Sequence, residues 1–334
     1  MSGPLKVGVV GTGALGYHHL RHLRTLTGAV VCGFHEIDAA RAATVSKELG
    51  VAPSASLEAL LDEVDALSIA VPTPAHFAVA RTALQRGKHV LIEKPITTTL
   101  AEADELLALA SANGALVQIG HVERFNRAIR AAWPYVENPL FIESERLAPF
   151  NPRGSDVAVV LDLMIHDIDL VLTLTRARVT EVSAAGVGVL TPSIDIADAR
   201  ISFANGAIAN ITASRISRER TRKLRLFQRN GYMSLDLAAG NGELFRLRSD
   251  VDMATLAQTA QPDVAAFVER IPLEAPEGDA LKLELESFVA AVRGEAPVPV
   301  TGADGRDALA VALRIVGDIE RSRSAVSAAP IPGA

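Results

Sequence analysis

The chain has 334 residues, 49% of them hydrophobic and 22% charged, with a net charge of −6. That length exceeds what one hydrophobic core usually organises, so two domains are expected, and the composition excludes a disordered chain. The acidic balance argues against nucleic acid as a partner, the single Cys32 excludes an internal disulfide or a cysteine-based zinc cluster, and no stretch approaches the roughly 20 apolar residues of a membrane span.

The opening residues run directly into an apolar strand with no basic segment or cleavage site, so a cytoplasmic location is expected. Leu5–Val10 reads as a strand, followed by a glycine turn and a helix through Leu26. Strands are then predicted at Ala29–Phe34, Ala66–Val71, His89–Ile92 and Ala115–Ile119. Helices over Ala39–Leu49, Leu57–Leu61, Ala75–Gln85 and Leu100–Ala112 separate them, with Gly87 and Gly114 placed as helix ends. Near-continuously apolar strands alternating with helices predict a doubly wound α/β domain with a parallel sheet, over residues 1–122.

Beyond that point the pattern changes. A helix is predicted over Arg124–Val136, a strand near Phe141–Leu147 and a long helix over Val157–Leu174. From Val179 to about Leu247 successive strands are separated by turn signals such as Asn230-Gly231, which predicts a large open antiparallel or mixed sheet in an α+β domain. Helices at Ala280–Val292 and Asp304–Arg321 close the chain. Residues 123–334 are therefore read as a substrate and assembly domain, with the helix over 304–321 free to pack back on the first.

Between the first strand and helix, Gly11-Thr12-Gly13-Ala14-Leu15-Gly16 has the spacing of a dinucleotide-phosphate turn. Gly11 permits the tight turn, Gly13 lets the backbone approach a pyrophosphate, and Gly16 allows close helix–strand packing. Helix N–H groups and the positive end of the dipole then hold the anion. Glu36, at the end of the second strand, suits the ribose hydroxyls and repels a 2′-phosphate, which favours NAD over NADP. Arg41 lies close enough in sequence to bear on that choice.

Glu93-Lys94-Pro95 follows an apolar strand and sits where open α/β sheets bind ligands. Asp162 and His166 are four residues apart on an otherwise apolar helix and so share one face. Burying them without partners costs several kcal/mol, so they either satisfy each other or serve chemistry. In the chemical reading, His166 takes a hydroxyl proton and Asp162 orients it. A metal site of Asp162, His166 and Asp169 is disfavoured because Asp169 does not share the face of the other two. Asp167 and Asp169 are read as structural.

Together, the glycine turn, Val71-Pro72-Thr73-Pro74-Ala75-His76, Glu93-Lys94-Pro95 and Leu161-Asp162-x-x-x-His166-Asp167-x-Asp169 resemble the glucose–fructose oxidoreductase, inositol dehydrogenase and MocA family, over essentially the whole chain. The resemblance implies Lys94 beside the nicotinamide and the substrate hydroxyl, and Pro72, Thr73 and His76 lining the nicotinamide half of the cofactor. Glu93 joins that cofactor set, and Lys94, Asp162 and His166 form the catalytic set. It also implies a homodimer or homotetramer assembled through the open sheet.

Gly120-His121-Val122-Glu123-Arg124-Phe125-Asn126 and the segment from Asp156 to Asp169 resemble the family members that oxidise the 3-hydroxyl of uridine-diphosphate N-acetylhexosamines such as UDP-N-acetylglucosamine. A glycine pair common in other members is replaced here by Val159-Val160. Such a substrate needs cations for its diphosphate, and Arg124, Arg127 and Arg153, with Asn126, are candidates by position. The alternatives are an inositol or free-sugar dehydrogenase of the same family, or a dinucleotide-binding sensor or scaffold that turns nothing over.

Overall fold

The computed structural model describes residues 3–152, 157–248 and 267–328. The chain divides into two compact units, Met1–Phe125 with Gly278–Ala310, and Asn126–Glu277 with Val311–Ala334.

The first unit alternates strands β1 (Leu5–Val10), β2 (Ala29–His35), β3 (Ala66–Ile69), β4 (His89–Glu93) and β5 (Val117–Gly120) with helices. These are α1 (Ala14–Leu23), α2 (Ala39–Leu49), α3 (Leu57–Glu63), α4 (Thr73–Gln85) and α5 (Leu100–Asn113). All strand pairs are parallel, in the order β2-β1-β3-β4-β5. β3 is buried at every position, as a strand covered on both faces must be. Local chemistry sets the helix ends. The Thr99 hydroxyl and the Glu102 carboxylate cap α5 reciprocally, and Gly114 ends it in the left-handed region at φ 63°.

The sequence reading placed residues 278–303 with the second domain and left the helix over 304–321 free to pack on the first. Residues 278–310 belong to the first unit, and side chains there complete its core. Leu285, Phe288, Val289 and Val292 of α8 (Ala280–Val292) cluster with Leu5, Leu20 and Leu23. The buried Gln118 amide donates to the Glu284 carbonyl at 3.2 Å and to the Ser287 hydroxyl at 3.1 Å. The boundary falls inside the last helix, α9 (Gly302–Ala328).

The second unit is built on an eight-stranded sheet ordered β13-β12-β11-β10-β6-β9-β8-β7. Its strands are β6 (Phe141–Leu147), β7 (Val179–Val187), β8 (Ile196–Phe203), β9 (Ile208–Ser214), β10 (Thr221–Gln228), β11 (Gly231–Asp236), β12 (Asn241–Leu247) and β13 (Val268–Leu273). β6 and β9 run parallel and every other pair is antiparallel. β13 was not anticipated from the sequence.

Two predicted helices differ in form. The one expected over Arg124–Val136 is split into a 3₁₀ turn (Val122–Phe125), α6 (Arg127–Ala132) and a second 3₁₀ turn (Trp133–Tyr135). Asn126 causes the first break, because its side chain accepts from the Ala128 N–H and restarts the helix. Pro134 lacks the N–H that would continue the ladder at the second. The long helix opens instead as a π turn, Val160–Met164, and becomes α-helical as α7 (Ile165–Thr175). No helix among the described residues is long and apolar enough to cross a membrane.

Candidate active site

In the first unit the glycine turn leaves the carboxyl end of β1, beside β3, where the strand order reverses. That switch point is where open α/β sheets bind ligands. The three glycines answer three different demands. Gly11 has φ 79°, and a Cβ there would meet Val71 Cγ1 at 2.8 Å and the Ala70 carbonyl at 2.9 Å. A Cβ on Gly13 would meet nothing within 4 Å, so the backbone faces open space, and one on Gly16 would overlap the Gly11 carbonyl. α1 has no side-chain cap at Gly13, and Ala14 and Leu15 of its first turn are exposed. This is a cradle suited to a pyrophosphate.

Thr12 is fully buried and anchors Glu36. Its N–H and hydroxyl lie 2.7 and 3.0 Å from Glu36 Oε2, and the Asp38 N–H lies 3.1 Å from Oε1. Partial burial alone would raise the Glu36 carboxyl, but these donors outweigh it and hold the group below the usual carboxylate range. Arg41 is committed to the same turn. Its Nε donates to the Thr12 carbonyl at 2.8 Å, and its guanidinium lies 5.4 Å from the Tyr17 ring centre. Ile37, which sequence reasoning passed over, is 92% exposed next to Glu36. Such an exposed apolar side chain suits a flat aromatic base, and the only signal for it was its adjacency to the acid.

Pro72 and Thr73 open α4 at the end of β3. His76, expected to line the cofactor, is buried in the first unit. It is 1% exposed, with Nδ1 2.9 Å from the Pro95 carbonyl and Nε2 2.9 Å from that of Val71. Burial lowers its pKa, although both carbonyls pull the other way. Glu93 is also buried. Its Oε1 lies 3.1 Å from His19 Nε2, and a Cβ on Gly120 would meet that oxygen at 2.7 Å. Lys94 is half-buried between two buried neighbours and precedes a cis Lys94–Pro95 peptide.

In the second unit, Asp162 lies in the π turn and His166 in the first turn of α7, both half-buried. The four-residue spacing thus crosses between two helix types, and π bulges concentrate at functional sites. Asp167 and Asp169 are both 1% exposed. Asp167 accepts from Arg146 Nε at 2.6 Å, from Arg146 Nη2 at 3.1 Å and from the Ser144 hydroxyl at 2.9 Å. Asp162 borders a cavity of about 310 Å³. A larger hollow of about 900 Å³ around Arg127 and Arg225 touches none of the predicted catalytic residues. Among the described residues no cluster of His, Cys, Asp or Glu is arranged to hold a metal.

Arg124 and Arg127, two of the expected diphosphate cations, each have partners in the folded chain. Arg124 donates to the Pro299 carbonyl at 3.0 Å and lies 3.5 Å from Asp304. Arg127 binds the Ala275 carbonyl at 2.9 Å and Glu277 at 3.3 Å. Asn126 caps α6 and donates to the Leu237 carbonyl at 2.8 Å. These carbonyl partners lie more than 100 residues away in the chain, which sequence position could not reveal. Arg153 lies outside the described residues.

Comparison with known proteins follows the same division. Residues 5–121 match the model of an oxidoreductase family with an NAD-binding Rossmann fold, and residues 115–234 match that family's C-terminal domain. UDP-N-acetylglucosamine 3-dehydrogenase from Acidithiobacillus ferrooxidans is 38% identical over 316 residues, covering 93% of this chain and 96% of that protein. Its crystal structure superposes with a TM-score of 0.87 at 37% identity, over 95% and 98% of the two chains. A scyllo-inositol 2-dehydrogenase (NAD(+)) from Bacillus subtilis is 29% identical over 65% of this chain and 69% of its own. With both halves matched in order, the chain belongs to the glucose–fructose oxidoreductase, inositol dehydrogenase and MocA family of oxidoreductases.

Proposed function

We propose that this protein is an NAD-dependent dehydrogenase that oxidises the 3-hydroxyl of UDP-N-acetylglucosamine to a ketone. The observation that carries the reading is the end-to-end similarity to an enzyme of that name, at 38% identity over 93% of the chain. When bound, the nicotinamide supplies the hydride acceptor. The chain's own residues supply binding, orientation and proton handling.

In this reading His166 takes the hydroxyl proton, Asp162 orients the imidazole and supports its positive charge, and Lys94 polarises the hydroxyl oxygen. Glu36 supports NAD over NADP. In this reading the carboxylate, held in place by the Thr12 and Asp38 donors, accepts from a ribose hydroxyl. Its negative charge opposes a 2′-phosphate. Assembly into a homodimer or homotetramer would use the open sheet face. Phe141, Phe227, Tyr232 and Phe245 form a partly exposed ladder there, with successive ring centres 5.8, 5.4 and 4.8 Å apart.

An inositol dehydrogenase is the second reading, favoured by the 29% identical scyllo-inositol enzyme. A substrate panel followed by NADH absorbance decides between them. UDP-N-acetylglucosamine should be turned over, and turnover of inositols without any nucleotide sugar would reverse the choice.

A further inference from the structure

The cavity of about 310 Å³ beside Asp162 is lined by four arginines, Arg146, Arg215, Arg220 and Arg222. They are far apart in the chain, and the sheet brings them together. β6 and β9 run parallel and finish side by side, with Leu147 opposite Ser214, and antiparallel β10 begins there, with Thr221 opposite Leu147. Arg146 therefore sits at the end of β6, Arg215 just past β9, and Arg220 and Arg222 at the start of β10.

Arg222 pairs directly across the ladder with Arg146. Two like charges facing each other on adjacent strands destabilise a sheet unless anions offset them. Asp167 compensates Arg146 with a bidentate contact, 2.6 Å from Nε and 3.1 Å from Nη2. Arg146 and Arg215 are 3% and 4% exposed, and Arg215 is tied to the Val157 carbonyl. These two form a fixed floor, while Arg220 is exposed and Arg222 half-buried. Among the described residues that line the cavity, four carry a guanidinium and one, Asp162, a carboxylate.

We propose that this cavity is the diphosphate subsite for a nucleoside-diphosphate substrate, with Arg220 and Arg222 as its contacting cations. Each phosphate of such an ester carries one negative charge, which a wall rich in guanidinium groups suits. Guanidinium forks suit phosphate oxygens in a way that free polyols do not require. Asp162, of the proposed catalytic set, lines the same cavity. The assignment rests on the nucleotide-sugar reading above and adds the residues that recognise the nucleotide.

The test uses the full chain with NAD present. Uridine 5′-diphosphate and inorganic pyrophosphate are titrated calorimetrically into the wild type, the double variant Arg220→Gln/Arg222→Gln and the control Arg225→Gln. The control removes the same charge from a residue paired to Glu143, outside the cavity. The double variant should lose at least tenfold in affinity for uridine diphosphate, with a matching rise in KM for the nucleotide sugar. Its KM for NAD and its melting temperature should hold, as should every property of the control. Lysine at both positions should recover part of the loss.

Wild-type protein that binds no uridine diphosphate, or a double variant with unchanged affinity, overturns the subsite. Arginine-dependent binding without turnover of any nucleotide sugar would keep the subsite and remove the activity. Turnover with unchanged KM in the double variant would do the reverse.

Discussion

The His76 imidazole lies with Nδ1 2.9 Å from the carbonyl oxygen of Pro95, and so ties α4 to the turn that presents Lys94. Its other nitrogen is 2.9 Å from the Val71 carbonyl, so one buried ring bridges the ends of β3 and β4. Carbonyls only accept, and a neutral imidazole has one N–H. Serving both contacts requires the proton that burial disfavours.

His76→Gln keeps one donor but not the bridge. We expect kcat to fall about tenfold with KM for NAD nearly unchanged, within the range that sub-ångström misplacement produces. Steady-state kinetics in both substrates checks the split. The lowered pKa of His76 also fixes a pH effect. The unfolded chain takes up the proton first, so the stability contributed by His76 is complete above the ordinary histidine range and shrinks as pH drops below it. Urea midpoints measured from pH 7.5 to 5 should fall less steeply in the variant than in the wild type.

Replacing Lys94 or His166 with Ala should lower kcat by roughly 10²- to 10⁴-fold, the usual contribution of a positioned proton-transfer group. NADH titration by fluorescence should give near wild-type affinity in both. Full activity in either variant removes it from the catalytic set.

Glu36→Ala removes the charge opposing a 2′-phosphate and frees the donors of Thr12 and Asp38. The ratio of kcat/KM for NAD over NADP should fall by about tenfold or more, since one pairwise charge interaction of about 1.4 kcal/mol corresponds to that factor. An unchanged ratio would assign cofactor choice to other residues.

Arg146 and Asp167 form a buried, doubly hydrogen-bonded pair under α7. Arg146→Met leaves the carboxylate buried without its cation, at a cost of about 3–5 kcal/mol. The double variant Arg146→Met/Asp167→Leu should recover much of that loss in urea denaturation, because both charges are then gone. Equal destabilisation of single and double variants would show that packing, rather than charge, is what α7 requires.

Sequence alone was enough for the features that depend on neighbouring residues. The glycine turn, the strand–helix alternation, the Gly114 end of α5 and the family motifs were all legible, because each is written within a few positions of the chain. Side-chain commitments were not. His76, Glu93, Arg124 and Arg127 have the right types at the right places, yet each is drawn to a partner that only the folded chain supplies. The split of the 124–136 helix and the placement of residues 278–310 with the first core belong to the same class. The gathering of arginines at 146, 215, 220 and 222 is the clearest case. It depends on β6 pairing in parallel with β9 and antiparallel with β10, a long-range register that local periodicity does not encode.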